Sequence, residues 1–443
     1  MAAAAQRNAS PSVASRAPPL SMKTLLLAAG LSVVTGTALA DLPVGRGVVS
    51  ATVAATATYD SNVFGTRDAT SDYYGTLAPR VTYVRQAGAI EAEAHAGIAL
   101  IRYLEQTQLN ADNVSVDAAL KVAAADFRNY TGLLSAAYVE SSGVNTDINA
   151  RVNARTTTYI GHGALETGPR SDVALSGTYT DVQNSVASDQ QTLTTEAMYD
   201  YKDFLLGNSL RVLGDYDRLR TSGGNTLGVP LNQESYMMSA GLGRGLFKDT
   251  VRAGLSYGYR ILERSAVETS TGRQREEGSV ISATLEGPFL PEKYFPKVKS
   301  SFALIYQNAA TPGINDNGST KELTGKLSLA WQARTNTTAT FTAQRSQRLS
   351  VNDLSVVTTS VQVGLDQVLR YNLTGSLLAG YDWSTYRTVN RQDETGTLGA
   401  RLRYRFARSW DSDLSYIFTS VSSNVRQSSY DRSVVSLTVT YHF

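Results

Sequence analysis

The chain of 443 residues has no cysteine and only three histidines. Without thiols it can hold no disulfide framework, thiolate metal site or cysteine nucleophile. It also lacks an excess of either charge: 41 Lys+Arg stand against 39 Asp+Glu, a formal +2. So even a balance argues against a nucleic-acid partner, which needs a basic face. Charged residues are 18% of the chain, below the roughly 25% of a soluble domain. After the first 40 residues no stretch offers the ~18 consecutive apolar residues of a membrane helix. A mean hydropathy of −0.19 fits a helical membrane bundle no better. What is present points elsewhere. Hydrophobic residues make up 42%, and tyrosine is abundant, at 24 against 11 Phe and 3 Trp. Tyrosine is amphipathic and gathers where an apolar layer meets water. The composition therefore admits a membrane protein without membrane helices.

The amino terminus reads as an address. Lys23 precedes the apolar run Leu25–Val34, and small residues follow, ending Ala38-Leu39-Ala40. A basic start, a short apolar core and an A-x-A site form a secretory signal peptide over residues 22–40. Residues 1–21 are rich in Ala, Ser and Pro. They read as an extension preceding a true start at Met22. Residues 41–443 then form the mature domain.

From about Val48 the dominant signal has period 2. In Ile90–Leu100, Ile90, Ala92, Ala94, Ala96, Ile98 and Leu100 share one face, with Glu91, Glu93 and His95 on the other. In Thr250–Ile261 the apolar positions alternate with Arg252, Ser256 and Arg260. The segments run for roughly 10–14 residues, against about 5–6 in globular sheets and about 9–11 in a tilted membrane strand. Short and long connections alternate. The longest is expected at Ser141–Arg155, and the proline-bearing Pro288–Pro296 is a longer connection on the short side. The count is about 20 strands, with 18 as the alternative because Ser141–Arg155 is hard to partition. An even count places both termini on the periplasmic side, where the short turns also fall. In hydrocarbon every backbone N–H and C=O must be paired internally, so a spanning sheet must close. The expected fold is therefore all-β: a closed antiparallel transmembrane barrel in the bacterial outer membrane, with membrane lipid around it.

Barrels above 16–18 strands leave an aqueous channel. The expected lumen face is polar and of mixed sign, with Arg80, Glu91, Glu93, His95, Arg211, Arg252, Arg260, Arg401, Arg403 and Arg405 as lining candidates. Arg401-Leu402-Arg403-Tyr404-Arg405 is its most basic stripe, although charge there can serve hydration alone. Tyr257, Tyr259, Tyr404, Tyr416 and Tyr441 fall on the apolar face, as girdle residues do. A loop at Ser141–Arg155 is expected to be too short to fold deep into the lumen. A wide opening would leak, which favours a conduit occluded by a partner or by cargo.

Catalysis and metal binding find no support. A serine nucleophile needs an oriented histidine base, and the best local constellation, His95 with Glu91 and Glu93, has no serine on its strand. No HExxH or His-x-x-His spacing occurs, so no metal or other cofactor is expected. Asn315-Asp316-Asn317 reads as a polar turn, and Gly241–Gly245 lacks the Lys-Ser/Thr of a phosphate loop.

Two resemblances sharpen the reading. Val435, Leu437, Val439, Tyr441 and Phe443 share a face that ends on an aromatic residue. This resembles the terminal strand by which the outer-membrane assembly machinery recognises its clients, although Ser436 lies where glycine is common. Tyr59-Asp60-Ser61-Asn62-Val63-Phe64 resembles the Tyr-Asp-x-Asn-hydrophobic-aromatic signature of the putative β-barrel porin-2 family, with Tyr59, Asp60, Asn62 and Phe64 at the motif positions. That family includes proteins encoded with exopolysaccharide and capsule synthesis genes. The resemblance implies a monomeric channel that exports exopolysaccharide, with periplasmic polysaccharide-export proteins and the polymer itself as partners. A diffusion porin for small solutes, or a non-transporting surface barrel acting as scaffold or adhesin, are the alternatives.

Overall fold

The computed structural model describes residues 42–443, apart from 123–128, 146, 149, 223–230, 248–249, 267–273, 291–292, 294–296, 308–321, 351–354 and 387–388. The extension, the signal peptide and the Asn315–Asn317 turn lie outside the described residues. The strands are β1 (Leu42–Val44), β2 (Gly47–Asp60), β3 (Asp72–Ala87), β4 (Ile90–Tyr103), β5 (Ala111–Val122), β6 (Tyr130–Asn145) and β7 (Ala150–Gly168). They continue with β8 (Ser171–Asn184), β9 (Gln190–Leu205), β10 (Asn208–Thr221), β11 (Leu231–Leu246), β12 (Val251–Ala266), β13 (Gln274–Glu286) and β14 (Val298–Gln307). The last are β15 (Glu322–Arg334), β16 (Thr337–Leu349), β17 (Ser355–Arg370), β18 (Leu373–Tyr386), β19 (Arg391–Ala407), β20 (Trp410–Ser423) and β21 (Tyr430–His442).

Each strand from β2 to β21 pairs antiparallel with its chain neighbour, and β21 pairs back onto β2 from Thr52↔His442 to Asp60↔Val434. The sheet is thus a closed barrel of 20 strands, and the 18-strand alternative is set aside. The short β1 folds back along β2 with Leu42↔Val49 and is too short to span. At the end that holds both termini the connections are tight: Gly168 to Ser171, Arg334 to Thr337 and Ala407 to Trp410. Gly88 and Gly207 stand in two of these turns at φ 60° and 75°, a left-handed backbone that glycine adopts without the penalty a Cβ imposes. The opposite end carries 61–71, 104–110 and 424–429, among other longer connections. By the rule that periplasmic turns are short, the termini mark the periplasmic end.

One expectation fails. Ser141–Arg155 is not a 15-residue loop. The β6–β7 ladder continues through it, with Ser141↔Ala154, Gly143↔Val152 and Asn145↔Ala150 in register. The described residues between the two strands, Asp147 and Ile148, form a turn. The segment carries Ser and Asn at positions where an aliphatic alternation would mark a strand, which is why it reads as a loop.

The alternation sorts cleanly into two faces. Leu134, Leu175, Leu255 and Met238 lie on the outside and are more than 60% exposed. A water-soluble protein does not leave such a surface bare; a lipid-facing one must. Outward rings form a chain at the periplasmic end: Phe406–Trp410 at 6.0 Å, Trp410–Tyr441 at 4.7 Å and Tyr441–Phe443 at 4.6 Å between centroids. Tyr441 and Phe443 thus join a girdle at the membrane boundary, on the face that Leu437 and Val439 share.

Candidate functional site

The lumen wall has two regions built on the same strands. The first is the wall proper. The register sets Arg80, Glu91, Glu93, His95, Arg211, Arg252, Arg260, Arg401, Arg403 and Arg405 opposite the lipid-facing positions of their strands. Their partners lie mostly on adjacent strands. Arg80 reaches Asp117 at 3.6 Å, Lys121 reaches Glu91 at 3.6 Å, and Arg211 donates to Asp200 at 2.8 Å. Arg401 and Arg403 share Asp413 at 2.5 and 3.5 Å, and Arg405 meets Asp411 at 2.9 Å. The three arginines of β19 are therefore paired with two acids on β20, which offset most of the stripe's charge. The arginines remain open to water: the Arg211 and Arg405 side chains are 59% and 66% exposed. Exposed pairs of this kind add little stability; their effect is to keep the wall hydrated and locally neutral. His95 is held at both ring nitrogens, by the Thr82 hydroxyl at 2.8 Å and by Glu93 at 2.8 Å. His442 bonds Asp411 at 2.9 Å near the periplasmic rim.

The second region is the outer mouth. Here the inward row Arg348↔Val356↔Tyr386↔Arg391 runs level across β16, β17, β18 and β19. Asp147, at the tip between β6 and β7, reaches this row from the other side of the ring. Arg348 donates to it bidentately at 2.7 and 2.8 Å, and the Tyr386 hydroxyl donates at 2.9 Å. Arg391 donates to its backbone carbonyl at 2.5 Å. From β7 to β16 is nine steps in a ring of 20 strands, close to a diameter, so the contact crosses the mouth. Arg391 is fixed in turn by Asp393 and lies 4.5 Å over the Tyr386 ring. A second crossing joins Gln190 of β9 to the Ser350 carbonyl at 3.0 Å. Around these contacts Leu262, Val356 and Val63 have no exposed surface. The Asp147 side chain is 7% exposed. Burial is the largest influence on its carboxyl and pushes the pKa up. The hydrogen bond and charge of Arg348, the Tyr386 hydroxyl and the charge of Arg391 together outweigh it, and the group titrates below the usual carboxylate range.

Tyr59, Asp60, Asn62 and Phe64 sit at this same end, on the seam where first and last strands meet. Arg432 of β21 clasps Asp60 at 2.6–3.2 Å, and the Asp60 side chain is 0% exposed. Asp60 also accepts the Asn62 N–H at 3.0 Å. The Asn62 amide donates to the carbonyls of Thr66 and Asp431 at 2.7 and 3.2 Å and accepts the Gly65 N–H at 3.0 Å. Ser61 and Ser433 exchange two further bonds. Below this knot the seam continues as hydroxyl pairs, Thr56–Thr438 and Thr58–Ser436, at 2.9 and 3.0 Å. The motif is thus a closure device for the barrel, with polar groups buried only where each finds a partner.

The sequence pointed to the wall residues and the motif but missed Asp147, Arg348, Tyr386 and Arg391. Their partners are 201 to 244 residues apart, and no local pattern announces such a contact.

A closed sheet with a lipid-facing outer surface, aromatic girdle, wet charged interior and short turns at one end defines an outer-membrane β-barrel of porin type. Comparison with known proteins gives its relatives. Residues 318–443 match the model of the family described as Putative beta-barrel porin 2, so the resemblance read from the sequence holds for β15–β21. The match includes the terminal strand and lies outside Tyr59–Phe64. No curated protein matches the chain. Among solved structures, the siderophore receptor PiuA from Acinetobacter baumannii superposes with a TM-score of 0.50 at 11% identity, over 91% of this chain and 82% of that one. BauA, the ferric preacinetobactin receptor of the same organism, gives 0.50 at 9%, over 89% and 80%. The ferric citrate transporter FecA, in its unliganded form, gives 0.50 at 9%, over 89% and 78%. These likenesses establish a large closed outer-membrane barrel and nothing about cargo.

Proposed function

We propose that the barrel is an export conduit for exopolysaccharide, held shut at its outer mouth until cargo arrives. The observation that carries this reading is the crossing of the mouth by Asp147 above a wall whose charges are paired mainly along the sheet. A polymer sliding through needs a hydrated surface without deep, tight sites, and exposed neighbour-strand pairs supply one. The mixed signs resist strong binding of either an anionic or a cationic chain. Closure at the rim, by one carboxylate on a hairpin tip, suits an intermittent gate. A diffusion porin needs a standing constriction that sorts small solutes, and the hairpin instead bonds directly to the far wall. The family match supports the same reading. On it the protein does no bond chemistry. Its partners are the barrel assembly machinery, periplasmic polysaccharide-export proteins and the polymer.

The test is a strain lacking this chain. Export predicts loss of surface polysaccharide with unchanged uptake of small solutes, restored by the wild-type gene. Unchanged polysaccharide with impaired uptake would make the protein a diffusion porin. No change in either would leave a surface barrel without transport.

A further inference from the structure

The three donors that hold Asp147 belong to one side of the barrel, and the acceptor belongs to the other. Arg348, Tyr386 and Arg391 stand in one register row on strands fully paired to their neighbours. Arg391 is braced by Asp393 and stacks over the Tyr386 ring, so this part of the arc is held independently of Asp147. Asp147 sits instead on a hairpin tip at the end of β6 and β7, two of the longer strands of the barrel. A planar guanidinium fork with a phenol hydroxyl beside it is a complementary receptor for a carboxylate. The fork and the hydroxyl meet the carboxylate alone, while Arg391 donates to the backbone carbonyl of the same residue.

The neighbouring Asp60–Arg432 clasp shows the contrast. It uses the same chemistry, but Asp60 lies in β2 itself and is locked by the Asn62 turn. That carboxylate cannot leave without opening the seam. Asp147 can leave by a movement of its tip alone.

We propose that Arg348 and Tyr386 form a carboxylate-binding site beside Arg391, that Asp147 occupies it as an internal ligand, and that a polymer bearing carboxylates, a polyuronate, displaces Asp147 and opens the mouth. The inference rests on the export reading and adds to it the substrate class and the trigger. The exchange is feasible in magnitude. A tethered group competes at an effective concentration on the order of millimolar. A polyuronate threaded through the lumen brings a carboxylate on every residue to the same place, so the two compete on similar terms. Once Asp147 is displaced, Arg348 keeps an anionic partner and the freed Asp147 carboxylate passes to water.

The experiment uses the purified full chain in planar bilayers, with polygalacturonate oligomers or neutral dextran of equal length added on the side of the short turns. Wild type should be mostly closed, and polygalacturonate should raise open occupancy about tenfold, a differential binding of ~1.4 kcal/mol between open and closed states; dextran should not. Asp147→Ala should be open without polymer. Arg348→Lys keeps the charge but loses the fork, and its response to polygalacturonate should fall several-fold. If dextran opens the wild-type channel as well as polygalacturonate does, the carboxylate site is refuted and the gate survives. If Asp147→Ala is as closed as wild type, the gate itself is refuted, and the inference with it. Heat-modifiable electrophoretic mobility establishes that each variant is a folded barrel before it is compared.

Discussion

The two ends of the lumen use the same residue types to opposite effect. At the outer mouth Arg348–Asp147 crosses the ring and Arg432–Asp60 joins the first and last strands, each with its carboxylate buried. Along the wall towards the periplasm, Arg and Asp meet mainly on adjacent strands and stay wet, as in Arg211–Asp200 and Arg405–Asp411. A charge pair gains its structural weight from desolvation and from what it joins. The mouth pairs join distant or terminal strands and are costly to break. The wall pairs join strands already held by backbone ladders and can be broken cheaply. The same chemistry thus stands at two depths, joining distant strands at the mouth and lining a wet wall below it.

Breaking the seam knot should have the largest effect. Arg432→Ala leaves the fully buried Asp60 without its countercharge, a loss of about 3–5 kcal/mol for a broken buried pair. Urea unfolding of the reconstituted barrel should show it as a lower midpoint. Asp147→Ala comes next. Arg348 is 44% exposed, so it regains water and the stability loss should be about 1–3 kcal/mol; the same loss shifts the open-to-closed ratio by roughly 5- to 150-fold in bilayer recordings. Acid should imitate that substitution. The Asp147 carboxyl has a depressed pKa in the latched state, so the latch is at full strength above the ordinary carboxylate value of about 3.9 and weakens as pH falls below it. Conductance should therefore begin to rise only as pH falls below about 3.9 in wild type, and should not do so in Asp147→Ala. Smallest of all is Arg80→Ala on the open wall, which should change stability by no more than about 0.5 kcal/mol and alter conductance only slightly, less so at high salt.

The difference between the two regions also decided what could be read in advance. The wall was legible because period 2 is a local property: Glu91, Glu93 and His95 must face away from Ile90, Ala92 and Ala94 whatever the rest of the chain does. Strand number and the side of the termini followed from the same alternation and from connection lengths. The mouth was not legible. Ser141–Arg155 looked like a loop because Ser, Asn and Gly replace the aliphatic residues there, yet its backbone is paired. Asp147 then gains its meaning from Arg348 and Arg391, side chains that only closure of the ring brings near. The motif around Asp60 lay between these cases. It stood out as a pattern, and its purpose appeared only when β21 was found beside it.

The central claim is that contact between the hairpin tip and the far wall keeps the mouth shut. Because the chain has no cysteine, the variant Asp147→Cys with Arg348→Cys can be joined at that point alone by a short bismaleimide. The measurement is single-channel conductance of this variant before and after cross-linking. A large, steady conductance that collapses when the two positions are joined is the predicted result. Equal conductance in the joined and unjoined states would contradict it.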